Sequence, residues 1–543
     1  MPNPFSSEDM AAGYARARPP VHQEVIRRFR SLLSHSGIFG RALDVGCGSG
    51  LSTKPLAGLA QTCIGLEPSE AMARLGPSVA PGVSFVVGTA EALPFRHRTM
   101  ELITAAGSLN YADLELFFPE ACSALAKDGW LVVYDFSPGR RFPSSSSLNE
   151  WYSAFSARFP SPPHEARPLN PEILGQLDSG FHMVSYENFE ITLTLTPEFY
   201  LEYVLTETNV AFAMRNGVSL ESIRSWCSES LKPVWTGQDH QVIFEGYFAC
   251  MQLSAFELAV EAIVTGDIDT LQGLLGERPE LIRARSARKH RATLLHYVAA
   301  NGVEDFRQTT PANAVAITRA LLEAGADVDA LAETYGGGSL QTTLNLLVSS
   351  CHPAKAGLQI EIAELLLDFG AAINGLDDDG SPLLTALAFH YTAAAETLAR
   401  RGARVDNVIA AAGLGHDHLV MRFIDQEGGP TIAVPWIRMT GDPLQLALVW
   451  AGIHGRTATA EILLRKGVDP AAADSRQFTA LHWAAYYGHV ETVRMLLDCN
   501  APHEARNCYG GTPLGQTIWA TIHEGVRPGH PAIIDLLEGK GKG

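Results

Sequence analysis

The sequence predicts two unlike parts in tandem: an α/β domain built on a doubly wound sheet, then an all-α solenoid. Three observations carry that reading. Apolar runs alternate with helix-like stretches from Leu43 to Phe136. A glycine turn, Gly46-Cys47-Gly48-Ser49-Gly50, follows the first apolar run directly. From about Ser254 onward, short phrases such as Leu321-Leu322-Glu323-Ala324-Gly325-Ala326-Asp327 recur with variations.

The elements of the first part follow in order. Val21 to Leu33 has apolar residues at helical spacing, with Arg27, Arg28 and Arg30 between them, as a surface helix requires. Arg41 to Val45 reads as a buried strand, the glycine turn follows, and Leu51 to Leu59 suits a helix. Gln61 to Glu67 is a second strand ending in a carboxylate, and Pro68 to Met72 opens a helix with Ser69 as its N-cap. Val83 to Gly88, Glu101 to Ala106 and Leu131 to Phe136 are three more strands, with a helix over Leu114 to Leu125. Phe181 to Thr196 and His240 to Met251 read as two extended strands flanking a helical stretch, Pro197 to Leu231. Together they make a seven-stranded sheet. The Ser/Pro/Arg-rich segment between, about 137–180, carries Trp151, Tyr152, Phe155 and Phe159 and is read as a lid or cap.

Ligands of such sheets lie beyond the carboxyl ends of the strands. There the sequence puts the glycines, Glu67, Glu91, Ala106 and Asn110. Bare backbone at a strand-to-helix turn lets a ligand approach the main chain. An acidic group about 20 residues beyond such a turn can accept hydrogen bonds from ribose hydroxyls.

The stretch Asp44-x-Gly46-x-Gly48-x-Gly50 resembles motif I of class I methyltransferases that use S-adenosylmethionine (SAM), of the small-molecule, type 11 kind. Ala90-Glu91-Ala92-Leu93-Pro94-Phe95 resembles a second pattern of that family. The resemblance spans about Tyr14 to Leu253 and implies a Rossmann-like fold with SAM as methyl donor. It implies that Asp44, Gly46, Gly48, Gly50, Glu67, Ala90, Glu91 and Ala106 hold the cofactor. Tyr14, within Tyr14-Ala-Arg-Ala-Arg-Pro-Pro, is expected to close over it, as an N-terminal Tyr-Arg segment does in similar enzymes. Glu101 stands where the family usually has Asp. Gly107-Ser108-Leu109-Asn110-Tyr111 stands where many relatives have His-Trp, which leaves the acceptor open. Asn110, Tyr111 and Trp151 are candidates for the acceptor side; no catalytic residue is assigned, since in-line methyl transfer needs alignment more than a covalent intermediate. A nicotinamide fingerprint, Gly-x-Gly-x-x-Gly, fails because Leu51 takes the third glycine's place.

In the second part, Leu366 to Asn374, Arg400 to Asp406 and Leu463 to Asp469 echo the phrase at 321–329. Thr293-Leu-Leu-His296, Thr479-Ala-Leu-His482 and Thr512-Pro-Leu recur ahead of them. These resemble ankyrin repeats, at spacings near the ankyrin period of about 33 residues. About six to eight copies are expected over 254–543, stretched near Thr309–Ala312, Tyr335–Gly338 and Gly428–Thr440. His296 and His482 are expected to be structural, and His416-Asp417-His418 a polar helix start. The array implies an unidentified protein partner.

The formal net charge of −18 argues against a nucleic-acid surface. Arg140-Arg141 and Arg283 to Arg291 read as solvated turns. Eight scattered cysteines with no Cys-x-x-Cys pair predict reduced thiols and no metal site. With no signal-peptide pattern and no apolar run of about 18 residues, a cytoplasmic protein without a membrane span is expected. The domains are placed at 1–253 and 254–543. Two functions compete: a methyltransferase acting on a small molecule with an interaction array attached, or an interaction scaffold whose SAM-binding domain is weak or inactive.

Overall fold

The computed structural model describes residues 8–33, 37–162, 167, 169–176, 180–236, 239–335, 339–425 and 442–540. The chain divides into two compact units, Met1–Leu258 and Ala259–Gly543.

In the first unit the strands are β1 (Phe39–Val45), β2 (Ala60–Glu67), β3 (Ser84–Val87), β4 (Met100–Ala106), β5 (Leu125–Phe136), β6 (Phe181–Leu195) and β7 (His240–Leu253). They form one sheet in the order β3-β2-β1-β4-β5-β7-β6. The first five run parallel, and β7 lies antiparallel to both β5 and β6. Strand order reverses between β1 and β4. Chains leaving those two strands diverge and open a crevice at their carboxyl ends.

The helices are α1 (Glu8–Ala17), α2 (Val21–Leu32), α3 (Thr53–Leu56), α4 (Glu70–Val79), α5 (Leu114–Ala124), α6 (Ser147–Arg158), α7 (Pro171–Gln176), α8 (Pro197–Val204), α9 (Thr208–Arg215) and α10 (Leu220–Leu231). Apolar clusters cover both faces of the sheet. One gathers Leu43, Ile103, Phe117, Leu131 and Met251. The other gathers Phe29, Trp130, Tyr134 and Phe248, and continues into Trp151, Phe155, Tyr200 and Trp235. The segment expected to be a lid is therefore partly a packed helix, α6. Trp151 is buried in it, its Nε1 donating to Ser230 Oγ at 2.9 Å.

Two expectations change. The helix read over Leu51 to Leu59 is only Thr53–Leu56. Turns precede it, and the chain turns again at Ala57 to Leu59 before β2 begins at Ala60. The strand read over Leu131 to Phe136 begins earlier, at Leu125, which already pairs with Met100 across a register irregularity. An element not read from the sequence, α1, packs against α4 and α8.

The second unit stacks helix pairs. The regular ones are Ser381–Ala388 with Thr392–Arg400, Val408–Leu414 with Asp417–Asp425, Pro443–Ile453 with Thr457–Arg465, Ala480–Tyr487 with Val490–Asp498, and Pro513–His523 with His530–Lys540. The recurring Leu-Leu-x-x-Gly phrase now has a cause. Gly325, Gly370, Gly402 and Gly467 are left-handed, with φ of 91°, 92°, 100° and 91°. The amide after each donates back to the leucine five residues earlier, for example Ala371 N to Leu366 O at 3.0 Å. This closes the helix with a glycine in the position where a Cβ would be strained. In the next copy Asn500 takes the same conformation at φ 59°, and Ala501 N bonds to Leu496 O at 2.9 Å.

His482 accepts from Thr479 N at 3.2 Å through Nδ1, and its Nε2 reaches Gly511 O of the next repeat at 3.1 Å. His296 repeats this with Thr293 N and Gln341 O. The array is thus tied together by hydrogen bonds between neighbours as well as by apolar contact. The basic run at Arg283 to Arg291 is not uniformly solvated. Arg288 is half-buried and paired with Glu304 at 2.5 Å, and the buried Arg307 reaches the same carboxylate at 3.2 Å. The insertion at Gly428–Thr440 and residues 336–338 of the Tyr335–Gly338 insertion lie outside the described residues.

Candidate functional site

The three glycines of the turn differ in what surrounds them. All are left-handed, with φ of 67°, 57° and 91° for Gly46, Gly48 and Gly50. A Cβ on Gly46 would collide with Ser108, whose hydroxyl donates to Val45 O at 2.6 Å. A Cβ on Gly50 would lie 2.8 Å from the Phe85 ring. Those two are glycine because the protein itself packs there. A Cβ on Gly48 would meet only Met72 Cε at 3.4 Å and Tyr14 Cε1 at 4.0 Å. Gly48 is the member of the turn whose bare face is least crowded.

Glu67, at the tip of β2, is nearly buried and is held by backbone amides. Oε2 accepts from Gly48 N at 2.9 Å and Oε1 from Ser69 N at 2.8 Å. Burial raises its pKa, and the two amides work in the opposite direction. The carboxylate is fixed beside the Gly48 opening, and each oxygen keeps a second acceptor direction. This cradle of bare glycine backbone, a fixed carboxylate and the Tyr14 ring fits an adenosyl ligand.

Asp44 is placed differently from its companions. It is fully buried, and its oxygens accept from Ser52 Oγ at 2.6 Å, Thr53 Oγ1 at 2.7 Å and Thr104 Oγ1 at 2.9 Å. Burial raises its pKa against those three bonds. Its visible role is to clamp the turn onto α3 and β4. Glu91 accepts from Asp113 N at 3.0 Å, which ties the loop after β3 to the start of α5. Ala90 and Ala106 are half-buried at the same edge of the sheet.

On the far side of the crevice, Asn110 donates to Asp135 Oδ2 at 2.7 Å, while its own Oδ1 is buried without a hydrogen bond. Tyr111 is 63% exposed, so its ring faces mainly solvent.

Sequence reasoning missed the polar groups beneath the cap. His22 Nδ1 lies 3.0 Å from Tyr134 Oη. Burial, with the charge of Arg18, lowers the His22 pKa to about 4, so the imidazole is neutral at pH 7. Arg18 pairs with Glu207 at 3.2 Å and lies over the Tyr14 ring at 4.2 Å and the Tyr203 ring at 5.2 Å. Arg18 sits inside the Tyr-Arg stretch and could have been singled out there. Glu207 carried no signal: it looks like any charged residue between helical segments.

Among the described residues, no group of three or more His, Cys, Asp and Glu is placed to hold a metal, and no helix is long and apolar enough to cross a membrane.

A seven-stranded sheet in this order, with a glycine turn after β1 and a carboxylate at the tip of β2, defines a Rossmann-like methyltransferase fold. Comparison with known proteins gives the same class: residues 43–133 match the methyltransferase domain family, and 408–507 and 448–537 match ankyrin repeats. The uncharacterized methyltransferase YcgJ of Bacillus subtilis is 31% identical over an alignment of 140 positions that covers 22% of this chain and 55% of that protein. A demethylmenaquinone methyltransferase of Renibacterium salmoninarum is 29% identical over 134 residues, 24% of this chain and 56% of the relative. The ankyrin repeat protein nuc-2 of Neurospora crassa is 30% identical over 145 residues, 25% of this chain and 13% of that protein. The chain thus spans about half the length of the methyltransferase relatives. The solved structure of YcgJ aligns with 43% of this chain and 99% of its own at 18% identity and a TM-score of 0.28.

Proposed function

We propose that the first unit binds SAM and transfers its methyl group to a small-molecule acceptor, and that the ankyrin array recruits a protein partner. The Gly48 opening carries this reading. It joins bare left-handed backbone, the Glu67 carboxylate and the Tyr14 ring at the crevice between β1 and β4. The match of 43–133 to the methyltransferase domain supports it. Gly46, Gly48, Gly50, Glu67, Ala90, Glu91, Ala106 and Tyr14 border the donor, and Asp44 holds the turn in shape from behind. SAM supplies a methyl group already activated on a sulfonium. The chain's own residues orient the acceptor and exclude water. The aromatic cluster of Trp151, Tyr152, Phe155 and Phe159 in the segment read as a cap supports a small acceptor.

A second reading, a scaffold with an inactive donor domain, draws on Gly107 to Tyr111, which departs from the family's usual residues. Isothermal titration of the full chain with S-adenosylhomocysteine tests the first reading. Saturable one-to-one binding is expected, and no binding refutes it. Labelled SAM incubated with a metabolite extract then separates the two: label appearing in a small molecule refutes the scaffold reading.

A further inference from the structure

Below the cap a polar seam runs through an otherwise aromatic interior. It starts at Tyr14, beside Gly48, and passes through Arg18, Glu207 and Tyr152 to Arg140. Arg18 stacks between Tyr14 and Tyr203 and donates to Thr206 O at 3.3 Å. Tyr152 is buried, with its hydroxyl 3.5 Å from Glu207 Oε2 and Arg140 4.2 Å over its ring. Arg140 is exposed, so the seam opens to solvent at that end.

The Arg18–Glu207 pair leaves hydrogen-bonding capacity unspent. Its nitrogen and oxygen approach at a single 3.2 Å contact and not as a two-pronged fork. Arg18 Nε and Glu207 Oε1 are both buried without a hydrogen bond. Buried ionic groups normally spend every donor and acceptor, because an unspent one keeps its desolvation cost. Glu207 also occupies the N-cap of α9 without capping it: the side chain makes no hydrogen bond to the helix amides. A residue that gives up its local role, facing an arginine with spare donor capacity, marks a place kept for a ligand.

Charge narrows the ligand. Two guanidinium groups and one carboxylate leave one positive charge in excess along the seam. His22, whose pKa is lowered by burial and by the charge of Arg18, is neutral at pH 7. Burial raises the pKa of the Tyr152 and Tyr203 hydroxyls, so both stay neutral there. One monoanion balances the seam, whereas a dianion leaves a buried negative charge. A planar carboxylate also matches the fork geometry of Arg18, and the rings of Tyr14, Tyr152 and Tyr203 suit a flat body.

Resting on the methyl-transfer reading, we propose that this seam is the acceptor subsite and that Arg18 selects a small aromatic or conjugated acceptor through its carboxylate.

The test uses the full chain with matched probes, benzoate against benzamide and phenylacetate against phenylacetamide. Affinities are read by ligand-observed NMR with S-adenosylhomocysteine present. At least one acid is expected to bind about tenfold or more tighter than its amide, the range of one charge-assisted hydrogen bond. Arg18→Gln is expected to erase that preference while leaving the amide affinity within about twofold. Arg18→Lys, which keeps the charge without the fork, is expected to retain part of the preference. Equal binding of acids and amides, or an acid preference that survives Arg18→Gln, overturns the proposal. Tighter binding of phenyl phosphate than of either acid also overturns it. Loss of both probe classes with intact S-adenosylhomocysteine binding assigns Arg18 a structural role and overturns it too. If Arg18→Gln does not fold, Glu207→Gln serves: with the competing carboxylate charge gone, acids are expected to bind more tightly, and weaker binding refutes the subsite. Failure of S-adenosylhomocysteine to bind the unaltered chain is a different result and falls on the donor reading instead.

Discussion

Adding one methyl group to either Gly48 or Gly50 is expected to separate binding from folding. Both substitutions pay the strain of a left-handed alanine, about 1 kcal/mol. At Gly50 the new Cβ also lies 2.8 Å from the Phe85 ring and 3.6 Å from Gly76 Cα. Phe85 is wedged among glycines: a Cβ on Gly65 or Gly76 would also strike it. With no room to withdraw, overpacking adds roughly 1–3 kcal/mol. Gly50→Ala should therefore lose about 2–4 kcal/mol in total, a large part of a domain's stability. At Gly48 the nearest atom is the flexible end of Met72, at 3.4 Å. Gly48→Ala should lose about 1 kcal/mol and remain folded. Its methyl group projects into the space assigned to the donor, so affinity for S-adenosylhomocysteine should fall about tenfold or more, or 1.4 kcal/mol upward. Urea denaturation read by first-unit hydrogen exchange, with calorimetric titration of each variant, measures both quantities. Unchanged affinity in Gly48→Ala would show that the donor lies elsewhere. A Gly50→Ala variant as stable as Gly48→Ala would refute the packing account.

Further outcomes follow from the buried groups. Asp44→Ala removes the acceptor of three hydroxyl donors and should destabilise the turn by several kcal/mol at about 1–3 kcal/mol per orphaned group; hydrogen exchange at 44–56 no faster than in the unaltered chain would contradict this. Glu304→Gln removes the carboxylate that Arg288 and Arg307 share, for a loss of about 3–5 kcal/mol, read as faster exchange over 285–310. The neighbouring cations hold the Glu304 pKa well below that of a free glutamate, so its contribution is complete above about pH 4.3 and is lost as pH falls below that. A local opening free energy that stays flat from pH 6 to pH 3 would refute the pairing. His482→Ala strands Thr479 N and Gly511 O, costing about 1–3 kcal/mol. Burial lowers the His482 pKa, so the stability it supplies is present above about pH 6.5 and declines as pH falls below it. An array that melts at the same temperature at pH 7.5 and pH 5.5 would argue against that role.

Local patterns made much of this protein legible. The five parallel strands could be read because each is a short apolar run bounded by turn residues, and buried strands need little else. The repeat phrase was legible because the left-handed helix ends at 325, 370, 402, 467 and 500 favour glycine or asparagine. Gly48 and Glu67 could be paired from sequence because a strand-turn-helix unit fixes where each must lie.

Other features depend on which side chains meet across hundreds of residues. Asp44 looks like a ligand-facing acid in its motif, yet three hydroxyls, one of them from β4, enclose it. Arg288 reads as part of a solvated basic run until Glu304 folds against it. Arg18 and Glu207 stand 189 positions apart, and neither carries a local pattern that names the other. Sequence by itself determined the two architectures and the turn at the donor crevice, since both arise from periodicity and backbone conformation over a few residues. Only the tertiary structure decided which polar groups are spent on holding the fold and which keep a free bond under the cap. That division depends on burial and partners, which no short stretch of chain contains.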